Sequence, residues 1–210
     1  KTLRRALGRG GDFAEVFCQH KITHWLGLED GQVDRAYTQV RLGAGIRVLK
    51  GDATGFAYCE DFTEEALLGT AAAAATVADG TPGVRPRSLV VVPHQSQYTV
   101  KLPWSEVGVD RKLPIVQQAE RLARGRDPRI VKVTVFLEDD VSRILVATSE
   151  GRLVEDDQPM TTLRVTCTGR AQGVTESSGQ SVASMDDLSF YTDAVIRKCA
   201  HEAADYTTLL

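Results

Sequence analysis

The 210-residue chain sets 25 Lys+Arg against 28 Asp+Glu, for a formal net charge of −3, and 42% of its residues are hydrophobic. That balance excludes a concentrated basic surface for general nucleic-acid binding, and the apolar share excludes a disordered chain. No apolar run reaches the roughly 20 residues that a membrane-spanning helix needs, so a soluble chain with no membrane partner is expected. The length suits one large domain or two lobes, at about residues 1–80 and 105–210. The 4 cysteines, Cys18, Cys59, Cys167 and Cys199, form no Cys-x-x-Cys pair and read as free thiols of a cytoplasmic protein.

Strands come first. Ala14, Val16, Cys18, Ile22, Leu26 and Leu28 alternate with polar residues at a period of two, the mark of a strand with one buried face. Asp30-Gly31 supplies a hairpin turn, and a return strand is expected over about 33–41. Gly43-Ala44-Gly45 and the Gly51 to Gly55 segment mark turns or close backbone approaches before Phe56-Ala57-Tyr58, which completes a meander of about four strands. Thr63 can cap a helix that starts with Glu64 and Glu65 and runs through the alanines to about Ala78. After an irregular stretch with Pro86, Pro93 and Pro103, a second helix is expected at about 111–124, with Pro114 tolerated in its first turn. A hairpin of 130–137 and 143–148 would turn through Glu138-Asp139-Asp140, and shorter strands would cover 163–169 and 171–175. The last helix begins near Ser189, with Val195, Cys199, Ala203 and Tyr206 as its apolar stripe. The expected class is α+β: antiparallel meanders and about three helices, in the order strands, helix, helix, strands, helix.

The residue types that could carry chemistry do not assemble into a site. His201-Glu202 lacks a second histidine, because Asp205 and Tyr206 occupy the positions a zinc helix would use, so the pair reads as a polar helix face. Cys18, His20 and His24 share a strand face, but residues four apart on a strand are separated by ~13 Å, too far for two imidazoles to meet on one ion. Packing at the sheet edge is the expected role of these histidines. His94 reads as a surface residue, Trp25 and Trp104 as packing residues, and Ser177-Ser178-Gly179-Gln180-Ser181 as a polar turn. The acidic clusters Glu138-Asp139-Asp140 and Glu155-Asp156-Asp157 read as solvated loops. Neither glycine segment completes a phosphate-binding loop.

Taken together, several segments resemble a known family. Gly11-Asp12-Phe13-Ala14-Glu15-Val16-Phe17 is similar to the opening of the TldD/PmbA family, also called modulator of DNA gyrase. Leu28-Glu29-Asp30-Gly31-Gln32-Val33, the Gly43 to Val48 and Gly51 to Tyr58 segments, the Arg143 to Gly151 segment and the helix around Cys199-Ala200-His201-Glu202 follow in the family's order. The specificity lies in that order, which spans nearly the whole chain. The resemblance implies the N-terminal domain of a cytoplasmic zinc metallopeptidase that acts on unfolded or modified peptides. Spacing and the closing helix favour the TldD type over the PmbA (TldE) type.

The implied partners are a C-terminal catalytic domain carrying His-Glu-x-x-x-His and a TldE-type subunit or a second copy. Zinc is expected in the full-length protein. No catalytic or metal-binding residue, and no cofactor, is assigned within these 210 residues, and this portion is expected to be inactive alone. The chain opens on Lys1 and reads as part of a longer protein, with the closing helix as its expected contact to the missing part. The rival reading is a stand-alone, non-catalytic binding or assembly module.

Overall fold

The computed structural model describes residues 1–93, 97, 98 and 100–209. In chain order the elements are α1 (Thr2–Ala6), β1 (Phe13–Glu29), β2 (Gln32–Lys50), β3 (Ala53–Cys59), α2 (Glu64–Ala74), β4 (Val90–Val91), α3 (Val109–Arg124), β5 (Ile130–Thr148), β6 (Arg152–Ala171), β7 (Val174–Ser184) and α4 (Asp193–Thr207). The class is α+β, with β2–β3 and β6–β7 antiparallel and the two-residue β4 parallel to β6. The chain folds as two compact units, and β1, β2, β5 and β6 contribute residues to both.

Three expectations about the elements are corrected. A helix precedes the strands: Leu3, Ala6 and Leu7 recur at helical spacing and are buried, and Gly10, at φ 92°, ends the turn that follows. The main strands run 17 to 20 residues, so segments taken for separate strands are single ones. The segments 138–140, 155–157 and 177–181 lie inside β5, β6 and β7 rather than in turns. Asp30-Gly31 does turn the first hairpin, with both residues at positive φ, and Gln172-Gly173 does the same between β6 and β7.

Unit 1 comprises Lys1–Lys21, Val40–Gln97 and Ser142–Gln158. Its core joins Leu3, Ala6 and Leu7 to Ala14, Val16, Ile46 and Val48 of the sheet and to Ala71 and Ala74 of α2. Thr63 caps α2 by accepting from the Ala66 amide at 3.3 Å. Small side chains let α2 lie close on the sheet. A Cβ at Gly55 would run into the Ala74 carbonyl and come within 2.9 Å of Val77 Cβ. Gly45 likewise takes the Phe56 ring against its backbone, so Gly43-Ala44-Gly45 serves close approach within β2 and not a turn.

Unit 2 comprises Ile22–Gln39, Tyr98–Val141 and Pro159–Leu210. Its core brings together Leu26 and Leu28, Val133, Val135 and Leu137, Leu163, Val165 and Cys167, and the faces of α3 and α4. Along α4 the buried stripe is Ile196, Cys199, Ala200, Ala203, Ala204 and Thr207, while Tyr206 is half-exposed. The expected stripe through Val195 and Tyr206 is thus rotated toward Ile196. That stripe is spent on the unit 2 core, and Tyr206 and, just past the helix, Leu209 are the large apolar side chains left exposed at this end of the chain.

Two measurements check this packing. Gly55→Ala should cost about 1–3 kcal/mol in urea unfolding through overpacking, whereas Gly69→Ala, which meets open space within α2, should gain about 0.5–1 kcal/mol. Burial pushes the Cys167 and Cys199 thiols up from 9.0 to about 11. Their contribution to stability is complete below the ordinary thiol value and is lost as pH rises from about 9 through about 11, so unfolding midpoints should fall across that window. Both thiols should resist a thiol reagent at neutral pH until the chain unfolds.

Candidate functional site

Unit 2 carries a buried ionic cluster that begins with strand alternation. Val133, Val135 and Leu137 face the core along β5, and Asp139 continues the same parity into the interior with no exposure. A carboxylate there requires a counter-charge. Lys112 supplies it from the start of α3, on the same helical face as Ile115, Val116 and Ala119, and is itself only 3% exposed. Lys112 Nζ lies 2.6 Å from Asp139 Oδ2, close but not aligned as a hydrogen bond. Among the described residues, Asp139 Oδ2 is the one buried side-chain oxygen or nitrogen without an aligned hydrogen-bond partner.

The second oxygen is held from β1. His24 Nδ1 lies 2.9 Å from Asp139 Oδ1 and, carrying a proton there, donates to that oxygen. The Lys112 ammonium also lies 5.7 Å from the centre of the Trp104 ring, whose Nε1 donates to the Asp186 carbonyl at 3.0 Å. Nearby, Tyr191 and Thr161 share a hydroxyl hydrogen bond of 2.7 Å. Burial raises the Tyr191 phenol above its ordinary value; the Thr161 bond opposes that shift and the Asp139 charge adds to it.

The cluster opens into a cavity of about 300 Å³ lined by His24, Lys112 and Asp139 together with Leu26, Val107, Val109 and Thr38. Gly108, the N-cap of α3, also lines it and offers no side-chain cap. Donors, an acceptor and apolar walls thus converge on one residue-sized space.

Of the residues singled out in the sequence, His24, Trp25 and Asp139 line this cavity, and the others fall elsewhere. Cys18 is half-buried beside the unit 1 core, with its thiol raised first by burial and then by Cys59. His20 is exposed, and His94 lies outside the described residues. His201 is partly buried, and burial with Arg126 and Arg197 lowers its pKa; Glu202 accepts from Gln180 Nε2 at 2.7 Å. Trp104 is buried in the core, and Trp25 stacks on Tyr37 with ring centres 5.9 Å apart. Among the described residues no three His, Cys, Asp or Glu side chains converge on a point that could hold a metal ion, so these residues do not fit the zinc that the resemblance implies.

Lys112 carries no motif in the sequence, and Asp139, expected in a solvated loop, is instead buried. Their signal was present, since both stay in phase with buried apolar neighbours.

The fold recurs among solved structures. A protein of Bacteroides thetaiotaomicron described as a candidate modulator of DNA gyrase matches with a TM-score of 0.76 and 15% identity, over 98% of this chain and 47% of that one. TldE from Thermococcus kodakarensis matches with a TM-score of 0.63 and 18% identity, over 94% of this chain and 44% of that one. At such identities the likeness is one of fold. In sequence, a metalloprotease TldD homologue of Haemophilus influenzae is 26% identical over 159 residues, 75% of this chain and 33% of its own length. Its counterpart in Buchnera aphidicola subsp. Schizaphis graminum is 24% identical over 180 residues, 86% of this chain and 37% of its own.

The family models place the match domain by domain. The one for PmbA/TldA metallopeptidase domain 1 covers residues 14–78, and the one for the central domain of the same metallopeptidases covers residues 102–210. The chain belongs to the PmbA/TldD metallopeptidase family. It spans about a third of the length of the curated relatives it matches.

The ion pair makes a direct prediction. Asp139→Asn or Lys112→Met alone should each cost about 3–5 kcal/mol in urea unfolding, since either leaves a buried charge unpaired. The double variant Lys112→Met/Asp139→Leu should recover most of that loss. Additive losses in the double variant would show that the two charges do not compensate each other.

Proposed function

We propose that this chain is the N-terminal, substrate-cleft and assembly portion of a TldD-like zinc metallopeptidase acting on unfolded or modified peptides in the cytoplasm. The observation that carries the reading is the pair of domain matches: the first and central domains of a metallopeptidase family account for residues 14–78 and 102–210, in relatives more than twice as long. The remaining length of such a protein would hold the catalytic domain and its zinc, which here has no ligand set among the described residues. The metal would there act as a Lewis acid on the scissile carbonyl; this chain's residues would hold and orient the peptide.

Unit 1 supports the assembly role. Its strand β3 ends the strand order and leaves Phe56 63% and Tyr58 74% exposed. An edge strand with exposed aromatics invites pairing unless another chain or domain covers it. A TldE-type subunit or a second copy would provide that cover, the fold being shared with TldE of Thermococcus kodakarensis.

The test is peptide cleavage. The full-length protein co-purified with its partner subunit should cleave an unfolded peptide in a chelator-sensitive manner, while the 210-residue chain should not, with or without added zinc. Cleavage by the isolated chain would overturn the assignment, as would a full-length partnered protein that leaves unfolded peptides intact.

A further inference from the structure

The charges at the two ends of β3 restrict what can pair with its outer side. β3 pairs with β2 from Lys50↔Ala53 to Ala44↔Cys59 and stands last in the strand order. Lys50↔Ala53 closes a two-residue turn, so the N–H groups of Thr54, Phe56 and Tyr58 alternate to the outer side. Among the described residues, no backbone group of another element bonds to them. α2 covers one face of the strand, where a Cβ at Gly55 would strike the Ala74 carbonyl and Ala57 packs on the core. On the other face Phe56 and Tyr58, with Phe17, Leu42, Gly43 and Gly45, border an apolar groove of about 240 Å³.

Asp52 precedes the strand and Glu60 follows it, both exposed and in phase with Phe56 and Tyr58. The nearby cations are taken, Lys50 by Asp12 and Arg47 by Glu15, each at 2.9 Å. Among the described residues, neither Asp52 nor Glu60 has a cationic partner. A second copy therefore fits this edge badly. Two identical antiparallel strands about a two-fold axis at Phe56 set Asp52 opposite Glu60 of the other copy, twice, and like charges directly opposite destabilise a ladder. Moving the axis one residue either way leaves Glu60 diagonal to Asp52 of the other copy. A strand with cations at both positions turns each of these contacts into an attraction.

We propose that the outer side of β3 takes one extended strand from a non-identical subunit. That strand carries Lys or Arg eight residues apart, opposite Asp52 and Glu60, with apolar side chains between them facing Phe56 and Tyr58. Main-chain bonds to Thr54, Phe56 and Tyr58 hold the strand, and the two charge pairs set its register and select it. The inference rests on the assembly reading above and narrows it, since the cover is a partner subunit and not a second copy.

Titration of the isotope-labelled 210-residue chain tests it by NMR at low salt. The probe is a blocked peptide, Lys-Thr-Val-Thr-Val-Thr-Val-Thr-Lys, with one control carrying Glu at both ends and another carrying Pro for the central Val. The basic peptide should bind at least about tenfold more tightly than either control, with shifts at the amides of Thr54, Phe56 and Tyr58. In Asp52→Lys/Glu60→Lys the preference should swing to the acidic peptide. Asp52→Lys alone makes two-fold self-pairing attractive. Sedimentation should therefore show it dimerising at least about tenfold more tightly than the natural chain, a gain that adding Glu60→Lys removes. Equal binding of the three peptides, no shift along β3, or no gain in dimerisation would overturn the proposal.

Hydrogen exchange identifies the occupant. In the full-length protein co-purified with its partner subunit the edge is filled, so the Phe56 and Tyr58 amides should exchange at least about tenfold more slowly than in the 210-residue chain. Equal exchange would overturn the subunit as the occupant. The cleavage test above reads activity and not this edge, so failure here is distinguishable from failure of the peptidase reading.

Discussion

A carboxylate with no exposure constrains everything around it. Left alone, the Asp139 charge would cost several kcal/mol or would give way to the protonated form. The fold meets that demand by bringing Lys112 to one oxygen and His24 to the other, which ties α3 and β1 to the same point of β5. Trp104 covers the ammonium from the loop before α3. The start of α3 therefore has a fixed place, and Gly108 can serve as N-cap without a capping side chain.

The two units reach their cores by different means. In unit 1 the buried residues are largely small, with Ala6, Ala14, Ala71 and Ala74 among them, and Gly55 admits the α2 backbone directly. Close helix–sheet approach there replaces bulky interdigitation, so any added methyl group at the contact is felt at once. Unit 2 packs larger side chains, including Trp104, Leu137, Leu163 and Ile196, and has room for a polar network within them. Neighbouring hydrogen bonds finish that network: Thr161 donates to the Glu138 carbonyl at 3.0 Å while bonded to Tyr191. Asp187, held at about 2 by bonds from Ser189 and from the Lys101 and Leu102 amides, anchors the segments that lead into α3 and α4.

The chain belongs to a metallopeptidase family and covers about a third of the curated relatives it matches, and no metal-ligand cluster forms among the described residues. On the proposed reading, what these residues would offer a peptide is binding surface, such as the edge strand with exposed aromatics in unit 1. In a peptidase, contacts away from the scissile bond contribute by fixing the substrate's register and position, and that contribution grows as the reacting group is held nearer its productive geometry.

The sequence by itself determined the class, the first hairpin, the cap of α2, the second helix and the family, because each rests on local spacing or on motif order. Thr63, Asp30-Gly31 and the alternation from Ala14 to Leu28 act over a few residues and need no partner to be read. Tertiary structure decided the rest. Glu138-Asp139-Asp140 looks like a turn as long as acidic residues are assumed to seek water, and only the arrival of Lys112, 27 positions earlier in the chain, makes an interior strand position tolerable for Asp139. Polar residues at 155–157 and 177–181 likewise concealed the long β6 and β7, since only the folded sheet shows polar positions continuing a strand. The candidate site depends on charge pairing across elements distant in sequence, and that pairing exists only after the chain has folded.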